Sequence, residues 1–293
     1  MTSDASTSRC LLLYGPHLFP SRLRTILGDA KPLSYSTAYV PSAWLTFDLP
    51  GVPFLEPVYA NALVKGWNDQ EGWALAAEEK DKSEVEEGER YKRWVWAKAC
   101  PGTAYEGELP PNLEGVVYEL SAADFERVVS AAFAAFPSPS ANLVPITCVK
   151  FSIDPAASTG EVTAEMLVAE PPRSTDALQP SQKQLRSVIV GALLSVLSRP
   201  YIAYLTHLSP YVPTSTPSKA LTVKLFRLLL LPSFLLFHLP AKILGTPAWA
   251  SFGRALTGRG VEKLRWLERW IRGSVGSGYV NEDDHKAAQT VKV

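Results

Sequence analysis

The sequence has few of the residues that hold disulfides and metal ions. Its three cysteines, Cys10, Cys100 and Cys148, are an odd number at wide spacing, without a C-x-x-C pair. This pattern favours small core residues in a reducing compartment over a disulfide framework. The four histidines are scattered, with no pair four residues apart and no neighbouring cysteine. We therefore expect neither a metal site nor a metal cofactor.

Uninterrupted apolar runs of membrane-spanning length are also missing. In the apolar C-terminal part, the longest stretch without charge runs from Leu228 to Ala241, which is shorter than the roughly 20 residues that a spanning helix needs. The first nine residues, MTSDASTSR, are polar, and the CLLLY that follows is too short for the apolar region of a secretory signal. A cytoplasmic location is the expectation.

A net charge of zero conceals an asymmetry along the chain. Between Lys219 and Arg272 there are ten basic and two acidic residues, a net charge of +8, so the remainder carries −8. The basic part contains an apolar stretch and an amphipathic pattern, VEKLRWLERWIR. Three interpretations remain open: helices packed on the main domain, a peripheral membrane contact through residues 221–272, or a transmembrane hairpin.

The remaining sequence predicts a packed α+β domain over residues 1–213, followed by a basic, apolar helical extension over 214–293. Hydrophobic residues make up 46% of the chain and charged residues 20%, which is typical of a globular core. Strands are predicted at RCLLLYG, LEGVVYEL, NLVPITCVKFSI and EVTAEMLVAE, and short β-rich runs broken by Pro and Gly between residues 35 and 67 predict a bent sheet or small barrel. Helices are predicted at SAADFERVVSAAFAAF, with a capping box from Ser121 to Asp124, at PSQKQLRSVIVGALLSV, capped by Ser181, and at SRPYIAYLTHL.

One segment interrupts this pattern. Residues 78–90, EEKDKSEVEEGER, contain a single aliphatic residue, Val85, and are predicted to form a charged, solvated insertion. The aromatics Tyr91, Trp94 and Trp96 then predict a further strand at YKRWVWAKAC.

Three of these stretches resemble γ-glutamylcyclotransferases. LLLYGPHL resembles the Tyr-Gly-Ser-Asn-Leu loop that ends the first strand of that family, and GVVYELSAADFERV resembles its Gly-Val-x-Tyr/Trp-x-Leu strand and short helix. PSQKQLRSVIVGALLSVLSRPYIAYL resembles the family's C-terminal helix, and GVPFLEPVYANAL its fungal branch from secondary-metabolite clusters. The resemblance covers about residues 9 to 213. It implies a small bent or closed β-barrel with surrounding helices.

The resemblance also implies a reaction, an intramolecular aminolysis. The α-amine of a γ-glutamyl group attacks its own γ-carbonyl, which releases 5-oxoproline and an amine. Backbone N–H groups at the strand-end loop would hold the substrate, and a glutamate on the short helix would take the proton from the α-ammonium.

This sequence departs from the family at the residues that matter most. Counted from Gly115, the catalytic glutamate falls at Ala132 and the following glycine at Phe133. The family's helix tyrosine falls at Gln184, and Pro16, which has no N–H, replaces the loop serine. Ordinary cyclotransferase chemistry would therefore need another base.

Glu56, in the apolar setting FLEPVYA, is the candidate for that base, because such surroundings raise a carboxyl pKa; a structural carboxylate is equally compatible with its position. Glu126 lies on a different helix face from Ala132 and is expected to be a solvated charge. The predicted substrate-binding residues are Tyr14, Gly15, Pro16, His17, Leu18, Ala132, Phe133, Gln184 and Tyr201, and Tyr204 is a further candidate for lining the pocket.

Two functions follow from this pattern. The first is a diverged lyase or cyclase of fungal secondary metabolism, which closes a ring within a small γ-glutamyl or apolar substrate without a cofactor. The second is a catalytically silent protein of the same fold that binds an apolar ligand or docks to a membrane. No nucleic-acid partner is expected.

Overall fold

The computed structural model describes residues 8–41, 43–52, 56–69, 84–100, 109–135, 141–151, 160–169 and 179–211, together with residue 224. It contains seven strands in these parts: β1 (Ser8–Tyr14), β2 (Ser34–Val40), β3 (Ala43–Val52), β4 (Glu56–Val64), β5 (Leu113–Ser121), β6 (Ala141–Lys150) and β7 (Gly160–Ala169). The α-helices are α1 (Pro20–Leu27), α2 (Glu84–Ala99), α3 (Ala122–Ala135), α4 (Gln182–Leu194) and α5 (Arg199–His207). A 3-10 turn, Gly15–His17, joins β1 to α1.

Five strands form a closed barrel in the order β1-β5-β2-β6-β7. The closing pair, β1 and β7, is parallel, and the other four pairs are antiparallel. Strand β5 passes close to β1 at Gly115, where a Cβ would stand 2.5 Å from the carbonyl oxygen of Leu13. The predicted α+β class with a small closed barrel is confirmed. Because the barrel is closed, β1 is paired on both sides, with β5 and with β7. The end of β1 is therefore held between these two strands.

Strands β3 and β4 form a separate two-stranded sheet beside the barrel. Pro50 lies within β3, opposite Val58, so proline does not end the strand as the sequence pattern predicted. Thr46 pairs with Asn61 and Leu49 pairs with Tyr59, which leaves two residues of β3 opposite one of β4. This β-bulge changes the direction of the side chains at Phe47 and Asp48.

Three helices begin at serine caps, and two of these caps, Ser121 and Ser181, were predicted from the sequence. Ser121 Oγ accepts from the backbone N–H of Asp124 at 3.2 Å and donates to its carboxylate at 2.8 Å. Ser181 Oγ accepts from the N–H of Gln184 and starts α4, and Ser198 does the same for α5. These hydrogen bonds satisfy N–H groups that have no partner within the helix, and they confirm the predicted helix starts.

The strand predicted at residues 91–100 is wrong, because these residues continue helix α2. Tyr91 and Val95 are four residues apart and pack together with Trp44 and Leu63 of the β3–β4 sheet. The helical period therefore places them on one face. Residues 84–90 of the charged segment form the first turns of the same helix, whereas residues 78–83 lie outside the described residues.

The predicted extension over 214–293 lies outside the described residues, except for the exposed Lys224. Its helical character and the peripheral membrane contact through residues 221–272 stay predictions. In the parts of the chain that the structure describes, no helix is long and apolar enough to cross a membrane.

Candidate functional site

The strand-end loop nominated by the sequence is a tight 3-10 turn directly after β1. Gly15 has φ of +56°, in the left-handed region that glycine adopts without strain. The N–H of Leu18 donates to the carbonyl oxygen of Gly15, and Leu18 itself is buried. Pro16 and His17 are half-buried. The chain thus forms the expected turn, and the N–H of Leu18 is used within the turn.

Helix α4 holds this turn from outside. A Cβ at Gly191 would stand 3.0 Å from the Cβ of Leu18 and 3.6 Å from the carbonyl oxygen of Gly15. Ser195 Oγ, at the end of the same helix, donates to the carbonyl oxygen of Leu18 at 3.0 Å. Gly191 therefore permits close contact between α4 and the turn.

The Tyr14 side chain points into the interior and anchors the end of β1 to β7. Its hydroxyl donates to the carbonyl oxygen of Leu167 at 2.7 Å, and the residue is buried. Burial raises the pKa of the Tyr14 phenol strongly, and the nearby Asp48 and Tyr201 raise it further. Tyr14 is therefore a neutral hydrogen-bond donor that lies close to both groups.

The surroundings of residue 132, where the sequence comparison predicts the missing glutamate, are apolar. Ala132 and Phe133, on α3, pack against a buried cluster formed by Leu49, Leu167 and Ala169. Leu167 is also the residue whose carbonyl oxygen binds Tyr14. The structure thus brings Tyr14 and Ala132 to the same part of β7, with no ionisable side chain at residue 132.

A buried carboxyl group from another element lies near Tyr14. Asp48 is 3% exposed and lies in the bulge of β3. Its Oδ1 accepts from Asn61 Nδ2 at 3.2 Å, whereas Oδ2 has no hydrogen-bond partner within the described residues. Burial raises the pKa of Asp48, and the cationic Lys98 counteracts part of this rise. A carboxyl group with a raised pKa is a stronger proton acceptor than an exposed aspartate.

Lys98 comes from the last turn of α2 and is itself buried, with 5% exposure. Helix α2 packs on β3, which brings this ammonium group into the surroundings of Asp48. The Lys98 charge opposes the rise that burial causes in the pKa of Asp48, but burial is the larger effect and the pKa stays raised.

Tyr201 adds a further polar atom to this region. The residue is 1% exposed, and its hydroxyl has no hydrogen-bond partner within the described parts of the chain. Burial raises the pKa of Tyr201, and the negative charge of Glu114 adds to the effect. Glu114 accepts from the N–H and the hydroxyl of Ser198 at the start of α5. Tyr204 contacts the Tyr201 ring with centroids 6.2 Å apart and donates to the Ala99 carbonyl oxygen.

The other nominated residues are placed as follows. Burial and the Arg22 guanidinium lower the pKa of His17 to about 4, so it is neutral at physiological pH. Gln184 is buried in the first turn of α4.

Glu56 begins β4 opposite Val52, but its side chain lies outside the described residues, so its role as a base stays a prediction. Glu126 is 68% exposed and pairs with Arg9 at 2.6 Å, as expected of a solvated charge.

Metal binding has no support in the described residues, which include no group of three or more His, Cys, Asp or Glu side chains that could hold an ion.

No family model matches the sequence, and no curated protein sequence matches it. Solved structures are similar to it. One, titled as a γ-glutamyl cyclotransferase, has a TM-score of 0.44 and 12% identity over 72% of this chain and 95% of its own. An uncharacterized protein from Homo sapiens gives the same values. A yeast γ-glutamyl cyclotransferase described as specific to glutathione has a TM-score of 0.40 and 9% identity over 68% of this chain and 94% of its own.

Sequence reasoning missed Asp48, Asn61 and Lys98. Asp48 is the one charged residue in the strand AWLTFDLPGV, and a single carboxylate in an apolar run is a signal for a buried, functional group. Lys98 was hidden by the incorrect strand prediction, since only the helical period places it on the face of α2 that packs inward. No local pattern links the two residues.

Proposed function

We propose that this chain is a diverged enzyme of the γ-glutamylcyclotransferase type, a lyase or cyclase that closes a ring within one small substrate, with Asp48 as the base. The observation that carries the proposal is the buried Asp48 carboxyl group, with one oxygen held by Asn61 and the other without a partner in the described residues. Buried polar atoms are normally hydrogen-bonded, so the unpartnered oxygen is suited to an incoming donor.

The apolar surroundings of Ala132 support a base from another element. The methyl group of Ala132 cannot accept a proton, and Phe133 packs beside it against Leu49 and Leu167. Asp48 is linked to the same cluster through Asn61, which donates to the Asp48 carboxylate and accepts from the backbone N–H of Ala169. Glu56 remains the competing candidate from β4.

The proposed reaction needs one proton acceptor and one donor to the developing oxyanion. Asp48 takes a proton from the substrate ammonium, and the freed amine attacks the γ-carbonyl carbon. The new C–N bond closes the five-membered ring, and the old C–N bond breaks. The leaving nitrogen takes that proton from Asp48 as the old bond breaks. Asp48 then takes the second proton from the ring nitrogen, which keeps one hydrogen in 5-oxoproline, and passes it to the released amine, which departs as an ammonium ion. The unpartnered Tyr201 hydroxyl is suited to donating to the oxyanion, and Tyr14, which already donates to Leu167, positions the end of β1.

The substrate proposed is less polar than an ordinary γ-glutamyl peptide. Ala132, Phe133 and Tyr59 border the cluster formed around Leu49, and such a surface suits an apolar substituent on the leaving amine. A role in fungal secondary metabolism rests on the resemblance of residues 51–63 to that branch.

The test is 5-oxoproline release, measured by mass spectrometry on a panel of γ-glutamyl amines with apolar and polar substituents. We expect release by the native chain and a loss of about 100-fold or more in Asp48→Asn, in line with removal of a general base. Glu56→Gln is the matched control and should retain activity. Loss in Glu56→Gln alone would assign the base to Glu56, and activity only after Ala132→Glu would refute a cyclotransferase reaction of the native chain.

A second candidate function is binding without catalysis. The apolar surroundings of Ala132 and Phe133 favour it, because an ancestral polar site there would have become a site for an apolar ligand. This alternative predicts that γ-glutamyl amines with apolar substituents bind the native chain and Asp48→Asn equally, with no 5-oxoproline formed by either.

A further inference from the structure

A surface cleft of about 470 Å³ lies between the start of α1 and the outer face of α4. It is lined by Phe19, Gln182, Lys183, Arg186, Ser187 and Val190. None of these residues belongs to the Tyr14–Asp48 region. Sites for small molecules commonly have volumes of about 300–1,000 Å³, so the cleft is large enough for a small organic ligand.

The shape of the cleft is set by the close contact between the 3-10 turn and α4. Leu18 is held against Gly191, where a Cβ would stand 3.0 Å away, and its carbonyl oxygen accepts from Ser195 Oγ. Phe19 follows Leu18 directly and is the N-cap residue of α1. The backbone that carries Phe19 is therefore held close to α4.

The lining of the cleft combines two cationic side chains with two apolar ones. Lys183 and Arg186 are exposed residues one turn apart on α4, and the lining includes no acidic residue. Neither cation forms an ion pair within the described residues. Phe19 and Val190 supply apolar surface, and Gln182 and Ser187 supply hydrogen-bonding groups.

We infer that this cleft binds a small, soluble organic anion that carries a carboxylate or phosphate next to an aromatic or other apolar group. Arg186 and Lys183 contact the oxyanion, for which the planar guanidinium gives two parallel hydrogen bonds. The apolar part lies against Phe19 and Val190. The site is independent of the proposed cyclisation, because it shares no side chain with the Asp48 region.

The experiment uses the full chain with phenyl phosphate as the probe and isothermal titration calorimetry as the measurement. Inorganic phosphate and benzyl alcohol each present one half of the probe. We expect phenyl phosphate to bind at least 10-fold more tightly than either. Arg186→Gln and Lys183→Gln should each weaken binding about 5-fold or more, and Arg93→Gln, an exposed arginine on α2, should leave it unchanged.

Other outcomes would overturn the inference. Equal binding of benzyl alcohol would show an apolar site without anion recognition, and equal losses in Arg93→Gln would show non-specific charge attraction. Binding to phosphatidylserine vesicles without competition by phenyl phosphate would assign the cations to a membrane surface. Asp48→Asn should bind phenyl phosphate as tightly as the native chain does. The cleft is thus tested by phenyl phosphate binding and the cyclisation by 5-oxoproline release, so either proposal can fail without the other.

Discussion

Two aspartates, Asp48 and Asp69, are buried in the parts of the chain that the structure describes, and their carboxylates are satisfied to different degrees. Asp69 accepts from the N–H of Gly66 at 2.7 Å and from the hydroxyl of Tyr91 at 3.0 Å, one bond to each oxygen. For Asp48, the described residues provide one hydrogen bond, which Asn61 Nδ2 donates to Oδ1. Asp69 therefore stabilises a turn, whereas one oxygen of Asp48 has no hydrogen-bond partner within the described residues.

Replacing Lys98 with methionine should move the titration of Asp48 to higher pH. Burial already raises the pKa of Asp48, and the Lys98 charge opposes that rise. Removing the cation leaves burial unopposed, so the ionised form appears only at a higher pH, and the acid limb of any Asp48-dependent activity moves the same way. Carbon-13 NMR of the Asp48 carboxyl group measures the change.

Lys92→Met is the control for that titration, since Lys92 lies on the same helix and pairs with Glu89 at 2.7 Å. A titration of Asp48 that is identical in the native chain and in Lys98→Met would mean that the two groups do not interact.

His17 should make stability depend on pH between about 4 and 6.5. Its pKa is lowered to about 4 in the folded chain, whereas an unfolded histidine titrates near 6.5. Stability from this group is complete above pH 6.5. It falls as pH decreases towards 4, because only the unfolded state takes up the proton. The loss is at most about 3 kcal/mol, less solvent screening.

Urea unfolding at several pH values tests the effect in His17→Gln, which cannot titrate. We expect the free energy of unfolding to depend less on pH in that variant. His207→Gln, which replaces an exposed histidine on α5, should show the same pH dependence as the native chain. If the free energy of unfolding varied with pH in His17→Gln as it does in the native chain, burial of the neutral imidazole would be contradicted.

At the scale of elements, the sequence predicted those whose signals are local. The serine caps at Ser121 and Ser181 defined helix starts because one hydroxyl and one N–H suffice. Helix α2 was not predicted, because alternating aromatics suggested a strand while the burial of Tyr91, Val95 and Lys98 follows a helical spacing. Which spacing applies is decided by packing against Trp44 and Leu63 of the distant β3–β4 sheet.

Gly88→Ala should stabilise the protein, since Gly88 is inside α2 and a Cβ there meets nothing within 4 Å. Alanine in a helix is favoured over glycine by about 1 kcal/mol, so the free energy of unfolding should rise by about that amount in chemical denaturation. Destabilisation would argue against the helix over Glu84–Ala99.

Gly115→Ala should have the opposite effect. The new Cβ would stand 2.5 Å from the Leu13 carbonyl oxygen and 2.9 Å from Leu12 Cδ1, so backbone in β1 or β5 must move. We expect a loss of about 1–3 kcal/mol, the usual cost of overpacking, measured in the same denaturation series. A neutral result would mean that this strand pair is more widely spaced than the structure has it.

At the scale of the whole molecule, the barrel and the turn after β1 could be predicted from strand patterns and the family resemblance. The alanine at residue 132 is read directly from the sequence. The Asp48 region could not be predicted in this way. It arises where a bulge in β3, the end of β7 and the last turn of α2 meet, and these elements are far apart in sequence. A sequence pattern reports periodicity within one element, whereas this site depends on how three elements pack.

The β3–β4 sheet that carries Asp48 is tied to the barrel by two buried asparagines. Asn61 Oδ1 accepts from the N–H of Ala169, and Asn68 Nδ2 donates to the carbonyl oxygens of Ala62 and Ala169. Asn68 Oδ1 also accepts from the N–H of Val64 at 2.7 Å. This one side chain thus satisfies backbone groups of both sheets.

Asn68→Ala should therefore loosen the β3–β4 sheet before the barrel. Three buried backbone groups lose a partner, at roughly 3 kcal/mol in total, and Asn112→Ala, an exposed residue, should change stability little. Hydrogen exchange followed by mass spectrometry should show faster exchange over residues 43–64 than over 113–121. Equal acceleration of both ranges would mean that the two sheets unfold as one unit, and that the position of Asp48 depends on the whole barrel rather than on this junction.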